Sequence, residues 1–395
     1  MYIFKTSLKE AGWVFLLSRC LILAVSYIGI LFIALPGASS TLICTQALQA
    51  NPCIFLWYRW DAVAFAIIAH QGYVFAPSVA YYPLWPLLIH FGGLLLGGTY
   101  PLSYYLAGLL LANLCFFFAL VLFDYLLAEE FEPSLARRAL FYLACYPYAV
   151  FFFVGYSEAL FLLLSLAVFL LLRRKKMLDW WLAGLCGFLA ALTRSTGILL
   201  SIPFFVVYIQ RFWLPSQRDQ SSFLQKLHGF MPMLLIPTGV ALYMAYLGYT
   251  KGNPFLVETF EGSYWHRHFS YIWYAFAPTV VAVLQGPFFS LNVLRNGLDL
   301  TFTLLPITVL ILGWKRLPLH YNLFALSIIL FSLSFAQASE APLTSQPRYM
   351  MSAFPIVIIC ALWGKRSRFD QAYLVLAIAM LAINTLLFAT YHWVA

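Results

Sequence analysis

"FLLLSLAVFLLLRRKKMLDWWLAGLCGFLAALTR", residues 161–194, decides what kind of protein this is. Four consecutive cations at 173–176 separate two runs whose only charge before Arg194 is Asp179. A helix of about 20 apolar residues crosses roughly 30 Å of hydrocarbon. Loops rich in Lys and Arg stay on the cytoplasmic side. The stretch therefore reads as a span running inward, a cytoplasmic loop and a returning span.

The same pattern repeats in both directions. Short basic clusters punctuate apolar runs at Lys5 and Lys9, Arg137–Arg138, Arg211 to Lys226, Lys315–Arg316 and Lys365 to Arg368. The 395 residues are 63% hydrophobic and 9% charged, against about 25% charged in ordinary soluble domains. The runs are too continuous for barrel strands, which alternate. The fold class is an all-α polytopic membrane protein. Its net charge of +9 reports topology and gives no groove for nucleic acid.

With the basic clusters inside, about eleven spans follow: 14–35, 102–128, 137–155, 157–172, 178–195, 197–211, 229–249, 296–313, 319–337, 349–363 and 371–391. Arg19 interrupts the first apolar stretch and no A-x-A site follows in "FIALPGASS", so the first span is expected to be retained rather than cleaved. Residues 36–101 form a first outer loop. Within it, "IFLWYRWDAVAFAIIAHQGY" reads as an interfacial helix and "YYPLWPLLIHFGGLLLGG" as a re-entrant or interfacial segment. Residues 250–295 form a second outer block with an interfacial stretch, "YIWYAFAPTVVAVLQGPFF". Together they make one membrane domain, 1–395, with two outer elaborations. Cys44 and Cys53 share the first outer loop, as a disulfide or as two free thiols.

The outer side keeps few cations: Arg59, Arg194, Lys251, Arg267, Arg295 and Arg348. Asp61 lies beside Arg59 among Trp57, Trp60 and Phe65, where partial desolvation would make it a better proton acceptor; a structural Arg59–Asp61 pair is the alternative. In "FFFVGYSEALF", Ser157 and Glu158 open a span, as an N-cap with a favourable acid or as a functional island. Arg194 in "ALTRSTG" and Arg348 in "QPRYMMSAFP" stand at outer helix ends, where bidentate donors suit a lipid phosphate. In "GSYWHRHFS", His266 and His268 point to opposite sides and chelate a metal poorly; an acceptor or phosphate contact and a solvated loop both remain open there. No Walker loop, GxGxxG or GxSxG occurs in a sensible context. Two outer acids and isolated arginines at phosphate depth fit an enzyme using a lipid-linked phosphate donor.

"RWDAVAFAIIAHQGY" followed by "YYPLWPLL", then "YPYAVFFFVGYSEALF" and "LAALTRSTGIL", resembles the PIG-V family of the GPI mannosyltransferase 2 type. The similarity covers residues 50–200 and, loosely, "QPRYMMSAFP". Tyr146 and Thr196 stand where the family has asparagine, and the shorter chain looks like a prokaryotic relative. The resemblance implies a GT-C-type bundle of about eleven transmembrane helices with outer interfacial helices. It implies an inverting transferase, usually of mannose, with a polyprenyl- or dolichyl-phosphate sugar donor and a lipid- or protein-linked acceptor. Asp61 maps to the catalytic base and Glu158 to the second acid. Arg194, Arg348 and Arg59 are expected at the donor phosphate, and Trp60, Tyr82, Tyr156, His266 and Arg267 at the substrate. No cofactor is required, though a divalent cation is compatible. The chain is expected in a plasma membrane with its site facing outside, or with a lumenal site if eukaryotic. The rival reading is a transporter or flippase of lipid-linked sugars.

Overall fold

The computed structural model describes residues 2–33, 53–214, 222–287, 289–337 and 341–394. Its helices run α1 (Tyr2–Phe32), α2 (Asp61–Gln71), α3 (Leu84–Leu95), α4 (Leu102–Glu130), α5 (Pro133–Ala144), α6 (Glu158–Leu172), α7 (Met177–Thr193), α8 (Ser201–Phe212), α9 (Phe223–Lys251), α10 (Leu256–Tyr264), α11 (Phe276–Gln285), α12 (Leu291–Gly313), α13 (Leu319–Ser334), α14 (Gln346–Ser352), α15 (Phe354–Trp363) and α16 (Ser367–Ala389). Short 3₁₀ turns lie at Ala76–Ala80, Ala149–Phe152, Ser195–Leu200 and Trp314–Arg316. Among the described residues the only strand-like pairing is an isolated antiparallel bridge between Arg267 and Gln337.

Among the described residues, six stretches are long and apolar enough to cross a membrane: Phe4–Phe32, Leu102–Glu130, Ser195–Phe212, Phe223–Lys251, Leu291–Arg316 and Ser367–Ala389. The other apolar helices run 10–17 residues, a rise of roughly 15–25 Å. Of the eleven expected spans, 14–35, 102–128, 197–211, 229–249, 296–313 and 371–391 fall on these long stretches, 157–172, 178–195, 319–337 and 349–363 fall on shorter apolar helices, and 137–155 falls on neither. Three expected elements differ in detail. Residues 137–155 are not one helix, because α5 stops at Ala144 before Pro147 and a 3₁₀ turn follows. Residues 349–363 divide into α14 and α15 around Ala353, ahead of Pro355. The outer helix expected over 54–73 begins only at Asp61, since Trp60 has φ 46°, outside helical space. Cys53 is disulfide-bonded, and Cys44 lies outside the described residues.

The chain forms two compact units: 1–74, 85–163 and 360–394 in the first, 75–84 and 164–359 in the second. In the first, α1 packs on α4, α5 and α16, and α2 packs on α4. Its basic end is tied by polar contacts. Arg138 lies 3.3 Å from Asp370, whose Oδ1 also accepts from the Tyr142 hydroxyl at 2.7 Å. The exposed pairs Arg137–Glu10 and Lys365–Glu132 contribute little, about 0–1 kcal/mol each.

The second unit is organised by α7 against α9. Helix α9 starts with a capping box in which Ser222 Oγ accepts from Gln225 N–H and Gln225 Oε1 accepts from Ser222 N–H. The contact face of α7 carries Ala183, Gly184, Ala190 and Ala191, all buried. Between apolar helices in lipid, small residues let the backbones approach and dispersion supplies the attraction. A Cβ at Gly184 would run into the Pro232 carbonyl, and one at Gly239 would stand 2.7 Å from the Phe188 carbonyl. Backbone cannot yield as a side chain does. Gly184→Ala is expected to destabilise this packing by about 1–3 kcal/mol, read as a lowered Tm in detergent.

Candidate active site

Two breaks in helical structure build the site of the first unit. The first is 145–157, which contains the 3₁₀ turn Ala149–Phe152. Away from water, carbonyls freed by such a break must be satisfied internally. Arg19 Nη1 donates to Phe152 O at 3.3 Å, Asn113 Nδ2 to Phe153 O at 3.0 Å, and Trp85 Nε1 to Gly155 O at 2.9 Å. Asn384 Nδ2 takes Pro147 O at 2.8 Å. Arg19 is 6% exposed, lies 4.6 Å from the Phe116 ring centroid, and also donates to Asn113 Oδ1 at 3.0 Å. Gly155 has φ +65° and meets the backbone of Gly108, a position that only glycine adopts without strain.

The break delivers Tyr156, Ser157 and Glu158 to one place, all buried, Glu158 at 1% exposure. Ser157 O accepts from the Phe161 amide, as an N-cap carbonyl does, and Glu158 is the first residue of α6. The positive end of the helix dipole favours a carboxylate there.

The second break is the turn 53–60. Trp57 Nε1 donates to Ser26 Oγ at 3.1 Å, and its ring meets Phe153 at 4.8 Å. Asp61, half-buried, is the first residue of α2, so Asp61 and Glu158 both open helices. The Tyr156 hydroxyl joins the two turns: it accepts from Asp61 N–H at 3.3 Å and lies 3.4 Å from Arg59 O. Arg59 is 4% exposed. Its Nε donates to Leu56 O at 2.7 Å and its Nη2 to Ala389 O at 2.9 Å, while Nη1 is buried without a hydrogen-bond partner among the described residues. Burial pushes its guanidinium down to about 10, with Tyr391 and Tyr105 opposing, so it stays charged at neutral pH.

The remaining sequence candidates lie in the second unit. Arg194 is the extended C-cap residue just after α7 and precedes the 3₁₀ turn Ser195–Leu200. Arg348 lies in α14, half-buried. His266, with φ 54°, and His268 are exposed, and Arg267 between them is half-buried. Arg267 Nη1 donates to Tyr349 Oη at 2.6 Å and Nη2 to Thr344 O at 3.3 Å. Arg295, which the sequence marks only as an outer cation, donates from Nη2 to Thr344 Oγ1 at 3.2 Å. One turn along α12 lies Asp299, 4% exposed, with Oδ2 lacking a hydrogen-bond partner among the described residues. Burial works against the Arg267 cation, but Tyr349 and Glu261 outweigh it and hold its pKa above the ordinary value, with Arg348 opposing. Cations gathered in this way suit an anion.

Tyr82 is buried against Tyr243 at 5.1 Å, and burial with Glu261 nearby pushes its hydroxyl up to about 12. Exposed aromatics at Phe269, Tyr271, Trp273 and Tyr274 match the composition of membrane–water interfaces. An apolar cavity of about 300 Å³ is lined by residues including Trp273, Leu310 and Leu330 of the same unit. Among the described residues, no group of three His, Cys, Asp or Glu side chains is placed to hold a metal.

These features define a multi-pass, all-α membrane protein with buried or half-buried acids at helix starts and arginines gathered around Thr344. The profile of the mannosyltransferase (PIG-V) family matches residues 34–265, more than half of the chain, and the chain belongs to that family. It is 28% identical to the GPI mannosyltransferase 2 of Schizosaccharomyces pombe over 240 residues, 55% of this chain and 48% of the relative. It is 35% identical to the mouse GPI alpha-1,6-mannosyltransferase 2 over 147 residues, 36% and 29% of the two chains. The chain thus spans about half the length, or less, of the curated relatives it matches. The Archaeoglobus fulgidus oligosaccharyltransferase superposes with a TM-score of 0.45 at 14% identity, over 97% of this chain and 53% of that one.

Trp85→Phe keeps an aromatic side chain, removes the donor to Gly155 O and leaves a small void where the five-membered ring stood. It is expected to lower stability by about 1–3 kcal/mol, seen as a lower Tm of the purified protein.

Proposed function

We propose that this chain is a GT-C-type membrane transferase that moves a mannosyl residue from a polyprenyl- or dolichyl-phosphate donor to an acceptor hydroxyl at the outer or lumenal face. Family membership supports the mannosyl group, and the names of the relatives point to a glycolipid acceptor. Asp61 and Glu158, each opening a helix, with the Tyr156 hydroxyl against the Asp61 turn, is the observation that carries the reading. The apolar cavity of the second unit suits a hydrocarbon chain, and its arginines suit the phosphate.

In the proposed reaction the acceptor oxygen attacks C1 of the sugar from the face opposite the phosphate. The C1–O bond to the lipid phosphate breaks and the configuration inverts. Asp61 takes the hydroxyl proton as the new bond forms, a contribution of about 10²–10⁴-fold. The leaving phosphate needs no proton. Arg194 and Arg348 are assigned to its developing charge, with Arg267 and Arg295 beside Thr344 as further cations for it. Glu158, Trp60, Tyr82, Tyr156 and His266 are assigned to sugar or acceptor contacts, and Arg59 to the phosphate through its remaining nitrogen.

Membranes carrying the protein, given radiolabelled polyprenyl-phosphate mannose, are expected to form a new mannosylated product. Asp61→Asn should fold and lose at least about 10²-fold in turnover. A lipid-linked-sugar transporter predicts movement of label across the bilayer with no new glycoconjugate. Arg348→Lys keeps the charge but not the two-pronged geometry; transfer is expected to fall about tenfold, measured with the same donor.

A further inference from the structure

The Asp61 turn is held in place by a part of the chain 330 residues away in sequence. Trp60 has φ 46° and ψ −116° with no side-chain cap. A bulky residue keeps such a conformation only where its surroundings over-determine it. Here the surroundings are the last turn of α16 and the residues after it. The Trp60 ring lies 4.8 Å from Phe388 and 5.6 Å from Trp393, edge-on to both. Arg59 donates to Ala389 O at the negative end of the α16 dipole. The Tyr391 ring covers the same guanidinium, with its centroid 3.2 Å from Arg59 Cζ. Phe388 also touches Tyr156, whose hydroxyl meets the Asp61 amide.

We propose that this segment, Phe388 to Trp393, is a positioning element for the reaction: it fixes the Trp60 backbone and thereby the direction in which Asp61 presents its carboxylate. Tyr391 and Trp393 act through Arg59 and Trp60 and contact no reacting atom. The inference rests on Asp61 as base. A base must lie within hydrogen-bond reach of its proton, and a misplacement near 1 Å can lower turnover about 10²-fold. Tyr391 is 62% exposed and Trp393 42% exposed. Side chains so open add little to core packing, so loss of either should act on the turn rather than on the fold.

The test compares kcat and KM for the full-length protein with radiolabelled polyprenyl-phosphate mannose. Tyr391→Ala and Trp393→Ala are expected to lower kcat at least tenfold with Tm little changed, and any rise in KM, through Arg59 at the phosphate or Trp60 at the sugar, is expected to be smaller than the fall in kcat. Tyr391→Phe and Trp393→Phe, which keep an aromatic face at each position, are expected to restore kcat. If an alanine variant does not fold, Tyr391→Leu and Trp393→Leu carry the same test, since they keep bulk and remove the π face. Unchanged kcat in folded variants, or a rise in KM alone, overturns the positioning role. Asp61→Asn measured in parallel separates the two readings. An inactive Asp61→Asn beside fully active clamp variants removes the clamp alone, whereas an active Asp61→Asn removes the base and with it the clamp.

Discussion

A chain that breaks its helices away from water must satisfy every carbonyl it frees, and the first unit depends on how this is done between residues 147 and 155. Four side chains from four helices each take one carbonyl: Arg19 from α1, Trp85 from α3, Asn113 from α4 and Asn384 from α16. Each bond is modest alone. Leaving one buried acceptor unmade costs about 1–3 kcal/mol, so the four together make the break a fixed feature. Glu158 and Tyr156 owe their places to it. The arrangement also explains a buried arginine in an apolar helix: Arg19 is surrounded by Phe15, Phe116 and Phe153, which accept its cation on their faces.

Much of the architecture was legible in the sequence because it rests on local pattern. Apolar runs, basic loops and the cations at 173–176 suffice for an all-helical membrane protein, and the motifs around Asp61, Glu158 and Arg194 suffice for the family. What escaped reading rests on distant contact. Residues 137–155 read as one apolar span although Pro147 interrupts them, and the bonds that hold the break reach across 133, 70 and 40 positions. The start of α2 was misread because nothing in "WYRWDAV" announces a tryptophan with positive φ. Arg295 was visible as an outer cation, but its link to Arg267 through Thr344 belongs to the fold.

The two units carry different chemistry. The first holds acids at helix starts, which suits proton transfer and contact with hydroxyls. The second gathers guanidinium groups around Thr344 and also holds an apolar cavity. The proposed donor, a sugar phosphate on an isoprenoid, would call on each of these chemistries, and the relatives this chain matches are transferases of mannose.

Helix α16 is tied near its start, where Asp370 meets Arg138 and Tyr142, and at its last residue, where Ala389 meets Arg59. Nineteen steps separate the ties, about 28 Å of rise. Such a helix works as a ruler. Exchanging one of its lipid-facing apolar residues for another leaves both ends in register. Adding or removing a single residue would turn one end by about 100° and shift it by about 1.5 Å. The length of α16 is therefore constrained more tightly than its composition.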